Sequence, residues 1–457
     1  MKKNYLNMKK KNKSNHFHTA VYLFVPLAVY ILTATISFAQ TSLTINDAIR
    51  IGLEQNRAIK IAILKAKSVG EAHVQEMEAN RLPSLKLYGT YTRLSEITPT
   101  PIVIPIPNVP PFAFKTYLPD NYSFRLALQQ PIFTGFRLQN LQIAAEHTSA
   151  AAQADVKAGQ RGIVYQIKMQ YWTLYKLQRT LEAVNKNIDE SNAHLTDIRS
   201  KLAGGTVLPN DTLKMQVQLS NNQLRKFQTE KDIRIAMASL MNTLALPLDG
   251  NVTLATAPEA DAHPQRSLDS LLKMAISYRS ELTALDERIQ AGKANVIAAR
   301  SGLFPQVSVG GNLYYSDPNQ RYFPVQDAFK MTWDASINLS WDLWTWNIAG
   351  LQAQQAEYIT EQLQETKKQS EEEIALEVTQ NYLAEQTSFA QIQVAKLSVT
   401  QARENLRIVK MQYSKGVAST TDMIDAETAA LQADVNVATA VADANIATAQ
   451  LAKSVGE

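Results

Sequence analysis

The 457-residue chain contains no cysteine, so a disulfide framework, a thiolate metal site and a thiol-linked lipid anchor are all excluded. Beyond residue 40 no stretch approaches the ~18 unbroken apolar residues of a membrane-spanning helix. If this part of the chain meets a bilayer, it must do so through strands. Histidine is scarce: His16, His18, His73, His147, His194 and His263 are scattered without ligand spacing, and no metal site is expected. GxSxG, P-loop, HExxH and CxxC signatures are lacking, and the acids suit water-facing helix positions better than a buried acid/base pair. The chain therefore reads as no enzyme and calls for no cofactor.

Basic excess is lacking too, once the N-terminus is set aside. Residues 1–39 have the form of a secretory signal: Lys2, Lys3, Lys9, Lys10, Lys11 and Lys13 open it, an apolar stretch follows from about Ala20 to Ile36, and Ser37-Phe38-Ala39 offers small residues for cleavage. A retained membrane anchor is the competing reading, weakened by Thr33, Thr35 and Ser37 within the run. Without the six leader lysines the chain has 40 basic and 42 acidic residues, a net charge of −2, and nothing points to nucleic acid.

Proline is absent over long windows: 26–83, 131–209, 209–247, 264–305 and everything after Pro324. Because proline breaks helices, these windows are the candidate helices. Leu174, Leu177, Leu181, Val184, Ile188, Ser191, Leu195, Ile198 and Leu202 recur at alternating spacings of three and four, as do Ile392, Ala395, Val399, Ala402, Leu406, Val409 and Tyr413. Such narrow seams suit antiparallel coiled-coil packing. A helix over 133–202 would run on the order of 100 Å.

A shift of 211 residues lays the two halves in register: Leu181 on Ile392, Tyr171 on Tyr382, Gly205 on Gly416, Asp211 on Asp422, and Ile235-Ala236 on Ile446-Ala447. Upstream the shift is 222, Pro83 pairing with Pro305, and the proline-rich stretch Pro99–Pro111 accounts for the difference as an exposed loop. The implied organisation is a first structural repeat over 40–250, a linker over 251–266 and a second repeat over 267–457. Each repeat reads as a medium helix (44–80; 267–301), two strands, a long helix (133–202; 345–414), a short turn and a medium helix (211–246; 421–455).

Met331 to Trp341 alternates apolar and polar for eleven residues, with weaker alternation in Val307–Leu313, Phe124–Leu128 and Leu85–Tyr91. About nine to eleven residues is enough for a tilted strand to cross the hydrocarbon. Trp333, Trp341, Trp344 and Trp346, with Tyr314 and Tyr315, would then form an interfacial girdle. A soluble four-stranded sheet packed on helices is the alternative. Since four strands cannot close a barrel and lipid forbids open edges, three chains pooling twelve strands is the membrane solution.

In this whole pattern the chain resembles the TolC-type outer membrane efflux proteins. The resemblance implies a mainly α fold with a small β part: a homotrimer whose long helices form an α-barrel through the periplasm, under a 12-stranded transmembrane β-barrel in the outer membrane of a Gram-negative bacterium. It implies a passive exit duct working with a periplasmic adaptor and an inner-membrane pump or secretion ATPase. The tip turns Gly204-Gly205-Thr206-Val207-Leu208 and Gly416-Val417-Ala418-Ser419 would dock the adaptor. Asp211 and Asp422 suit capping of the following helices. In the family an acidic pair at the spacing of Asp422 and Asp425 narrows the entrance, helped by a tyrosine matching Tyr413. Here Ala418 replaces the family's arginine, and Lys214 stands where the first repeat would carry its second acid. Type I protein secretion, a metal-export branch and a non-transport periplasmic coiled-coil scaffold are the alternatives.

Overall fold

A computed structural model describes residues 41–95, 118–250, 252–258 and 266–457. The expected leader and the Pro99–Pro111 loop lie outside the described residues. In chain order the elements are β1 (Thr41–Leu43), α1 (Ile45–Gln55), α2 (Arg57–Ala66), a π-helical turn (Lys67–Ala72), α3 (His73–Ala79), β2 (Ser84–Arg93), β3 (Asp120–Phe133), α4 (Arg137–Ala203) and α5 (Pro209–Thr243). Then follow β4 (Val252–Leu254), α6 (Leu268–Tyr278), α7 (Ser280–Arg300), β5 (Gln306–Asp317), β6 (Lys330–Ser340), α8 (Ile348–Ser414) and α9 (Thr420–Val455). Among the described residues no helix is long and apolar enough to cross a membrane.

The proline-free windows do hold the helices: α4 and α8 have 67 residues each, about 100 Å at the α-helical rise. Both start later than the expected 133 and 345. Gly135 and Phe136 (φ 60° and 67°) turn the chain out of β3, and Trp346 and Asn347 (φ 53° and 59°) do the same before α8. At Gly135 a side chain would meet the Ser301 carbonyl oxygen at 2.6 Å, so the turn requires glycine. The medium helices expected over 44–80 and 267–301 are each broken without a proline. Asn56 is extended between α1 and α2, its Oδ1 accepting from the N–H groups of Ala58 and Ile59 while its Nδ2 donates to the Thr243 carbonyl at 2.8 Å. Arg279 is extended between α6 and α7 and donates to the Ser454 carbonyl.

Part of the segment expected to link the two repeats is structured. Val252–Leu254 form β4, parallel to β1. Tyr171, wholly buried in α4, holds this pair by donating to the Leu43 carbonyl at 3.0 Å and accepting from the Thr256 N–H at 2.9 Å. Beneath lie Ala48, Ile167, Leu174, Leu240 and Leu244.

Packing of the helices forms one layer. α4 runs along α5 on one flank and along α7 and α9 on the other, and α8 closes the far side of α7 and α9. α1 to α3 follow α4 beyond the end of α5. The outer flanks stay apolar and exposed, with Leu213, Val217, Leu224 and Phe227 on α5 and Leu376, Leu383, Val394 and Leu397 on α8.

The four long strands form one antiparallel sheet in the order β2-β3-β5-β6, so β2 and β6 are open edges. Leu87, Phe124, Leu126, Trp333 and Ile337 face one side, all exposed. The register places Lys86, Arg125, Asn312, Tyr314 and Asp334 on the other.

Candidate functional site

The far end of the helical layer is built from two turns. At each, a Schellman motif ends the long helix: Gly205 and Gly416 are left-handed (φ 73° and 76°), Thr206 and Val417 donate back to the carbonyls of Lys201 and Gln412, and Gly205 and Gly416 to those of Leu202 and Tyr413. Gly204 stays right-handed as the C-cap. Gly204, Gly205, Thr206, Leu208, Gly416, Val417 and Ser419 are exposed, whereas Val207 and Ala418 pack partly inward.

The aspartates cap in a different way from that expected. The N-caps are Leu208 and Ser419, and Asp211 and Asp422 sit at the third helical position. Asp422 and Ser419 form a reciprocal box: the Asp422 carboxylate accepts from the Ser419 N–H at 2.8 Å and hydroxyl at 2.7 Å, and the Ser419 hydroxyl accepts from the Asp422 N–H at 3.1 Å. These donors hold the Asp422 carboxyl below its ordinary range, the hydroxyl contributing most. Leu208 has no side-chain acceptor, so the first turn has half a box, with Asp211 accepting from the Leu208 N–H at 3.2 Å.

Asp425 lies one turn on from Asp422 and is exposed, and among the described residues no cation pairs with it. Lys214 reaches from α5 to donate to Thr421 at 3.2 Å, and Gln218 donates to Thr428 at 3.1 Å, so the two turns are tied together beside the acids. Tyr413 is brought to a different place from the acids. Its ring is buried in the tip core with Leu195, Ile198, Met215 and Met423, edge-on to His194 at 4.8 Å and under the Lys201 ammonium at 4.0 Å.

Sequence reasoning missed the polar layer beside this core. His194 Nδ1 and Glu427 Oε1 approach to 3.6 Å with both side chains almost wholly buried. Asn222 donates to Asn187 at 2.6 Å and to Ser191 at 3.3 Å, and Asn187 donates to the Glu427 carbonyl at 3.4 Å. Only the polar Ser191 within the first seam signalled it, since the partners come from three helices.

At the opposite end, Trp333, Trp341, Trp344 and Trp346 are 54–80% exposed. Trp333 lies near the hairpin end of β6, and the other three lie at and beyond the end nearest the helices. Tyr315 shares the apolar face, but Tyr314 turns to the polar face, which removes it from the expected girdle.

The family model described as outer membrane efflux protein matches residues 49–246 and 271–457. The chain is 22% identical over 184 residues to the outer membrane efflux protein BepC of Brucella suis biovar 1 (strain 1330), a stretch that spans 40% of this chain and 40% of that relative's length. Among solved structures it superposes on the Campylobacter jejuni CmeC outer membrane channel with a TM-score of 0.76 at 15% identity, over 99% of this chain and 94% of that one. The outer-membrane protein VceC of Vibrio cholerae gives 0.71 at 18% identity over 90% and 96%. The open state of the Neisseria gonorrhoeae MtrE channel gives 0.72 at 15% over 90% and 88%.

Proposed function

Because the chain belongs to the outer membrane efflux protein family, we propose that it is the outer-membrane exit duct of a tripartite efflux system, formed by three copies. The observation that carries this reading is the open sheet. Its β2 and β6 edges are unpaired, and one face carries exposed Leu87, Phe124, Leu126, Trp333, Ile337 and Leu339, which lipid tolerates only in a closed ring. Pairing β6 of one copy with β2 of the next closes twelve strands without a free edge. The same rotation lays the apolar flank of α5 against that of α8, a heterologous contact that closes after three steps.

Each chain supplies four helical positions to the wall below: α4, α8, α1–α3 continued by α5, and α7 continued by α9. The two halves, 40–250 and 267–457 with 251–266 between them, are read as a duplicated unit; α4 and α8 start 211 residues apart, as do α5 and α9. The turns at Gly204–Leu208 and Gly416–Ser419 form the periplasmic end and dock an adaptor, which connects the duct to an inner-membrane pump. Conduction through it is passive.

At that end threefold symmetry gathers Asp422 and Asp425 into two carboxylate rings near the axis, which attract cations and narrow the entrance. Tyr413, packed on His194 beneath Lys201, holds the end of α8 in place for them. A tryptophan girdle marks the bilayer boundaries. The test is fractionation followed by planar-bilayer recording: the protein should enter the outer membrane as a heat-modifiable trimer and conduct. Recovery as a soluble periplasmic protein without conductance would refute the proposal.

A further inference from the structure

One cross-strand row on the polar face of the sheet is composed differently from its neighbours. Tyr88 of β2, Arg125 of β3 and Tyr314 of β5 stand side by side in register. The Arg125 guanidinium lies over the Tyr88 ring at 4.4 Å. From the β5–β6 connection, Arg321 folds back over the Tyr314 ring at 4.7 Å, so tyrosine and arginine alternate along the row. Arg321 is anchored there, donating to the Trp333 carbonyl at 3.0 Å and to Asp334 at 2.5 Å, while Asn312 donates to Asp334 at 2.8 Å. Asn319 fastens the same connection to the Lys330 carbonyl and the Thr332 hydroxyl. Beside the row is a cleft of ≈ 370 Å³, lined by Arg321, Tyr314 and the hydroxyls of Ser123, Ser316 and Thr332.

The charges here do not cancel. Asp334 is the one acid on the polar face of the four strands, and Arg321 and Asn312 engage it; Asp327 is exposed farther out on the connection. Against them stand Lys86, Arg125, Arg321 and Lys330, and among the described residues no carboxylate pairs with Arg125. Arg125, a planar cation stacked on a tyrosine with no carboxylate partner among the described residues, offers a sulfonate or carboxylate two parallel donors and offers an attached ring an aromatic surface; Arg321, with N–H groups already given to the Trp333 carbonyl and Asp334, adds a second stacked guanidinium beside it.

Resting on the barrel reading above, in which this face lines the pore, we propose that Arg125 and Arg321, stacked on Tyr88 and Tyr314, form a cationic collar near the outer mouth that binds small aromatic anions in transit. Three copies place six guanidinium groups around the lumen. The outer part of the duct then has the opposite charge preference to the carboxylates at its periplasmic end. Anionic aromatic cargo is favoured at the last step of passage.

The test is current block of the full trimer in a planar bilayer by naphthalene-1,5-disulfonate, added on the strand-mouth side. The wild-type channel should show reversible block. Arg125→Gln and Arg321→Gln should each weaken it by about tenfold or more, from loss of a nearby unit charge. Arg125→Lys, which keeps the charge, should retain most of it. Equal block of the wild type and both glutamine variants would overturn the collar, and so would equal block by the uncharged naphthalene-1,5-diol. Heat-modifiable trimer migration confirms that each variant has assembled. A wild-type protein that forms neither trimer nor channel would instead sink the barrel reading.

Discussion

Placing an arginine at Ile337 separates the membrane barrel from a soluble sheet. Ile337 lies near the middle of the eleven-residue β6, is 77% exposed, and shares its face with Trp333 and Leu339. The next residue, Asn338, points to the polar face. If the apolar face meets lipid, an arginine at mid-depth costs about 2–4 kcal/mol per copy. Three copies make that about 6–12 kcal/mol per trimer, comparable with the whole net stability of an ordinary folded domain, about 5–15 kcal/mol. Asn338→Arg adds a charge facing a watery lumen and should be tolerated. On a soluble sheet both sites are exposed surface, and each change would stay within about 0.5 kcal/mol. The assay is the amount of heat-modifiable trimer recovered from outer membranes. Ile337→Arg should reduce it strongly while Asn338→Arg leaves it near wild type; equal recovery of the two variants would refute the orientation of the sheet.

Neutralising Asp422 and Asp425 together with alanine should raise single-channel conductance and lower cation preference, and unchanged values in a bilayer would count against the acidic entrance. Tyr171→Phe leaves the Thr256 N–H without its acceptor, while the Leu43 carbonyl keeps the Ala255 N–H as a donor; it should cost about 1–3 kcal/mol, read as a lowered Tm with earlier proteolysis near residues 252–258. Gly416→Ala places a methyl group in open space but at φ 76°, so backbone strain alone should destabilise the tip by about 1–2 kcal/mol. Since the Asp422 carboxyl is held low by Ser419, its contribution is complete above the unfolded value, about 4. It is lost as pH falls through the lower folded value. The Tm difference between wild type and Asp422→Asn should therefore be constant above about pH 4 and close below it.

Much of the fold was legible because the relevant signals are local. Period-two alternation located β6 almost to its ends, and long proline-free windows located α4 and α8. What the sequence left hidden depends on distant partners. Asn56 and Arg279 break helices without a proline, because their side chains are held by the Thr243 and Ser454 carbonyls, each about 180 residues away in sequence. β1 and β4, three residues each, carry no periodic signal and exist because Tyr171 satisfies both chain segments. The site was partly legible in the same sense. The turn glycines and the acids could be read off directly, but Ser419, which takes the N-cap position from Asp422, could not be distinguished from a loop residue. His194 and Glu427 meet across 233 positions of sequence, and no spacing rule connects them. Tyr314 looked like a girdle residue because adjacent Tyr315 is one; register alone separates their faces.

In the proposed assembly one chain supplies a third of a closed barrel. Chemical crosslinking of the purified protein in mild detergent tests this. The expected result is a ladder that ends sharply at three chains, with trimer dominant at saturation. A protein that stays monomeric at saturating crosslinker would contradict it, because a single four-stranded sheet has no means of satisfying its two edges in lipid.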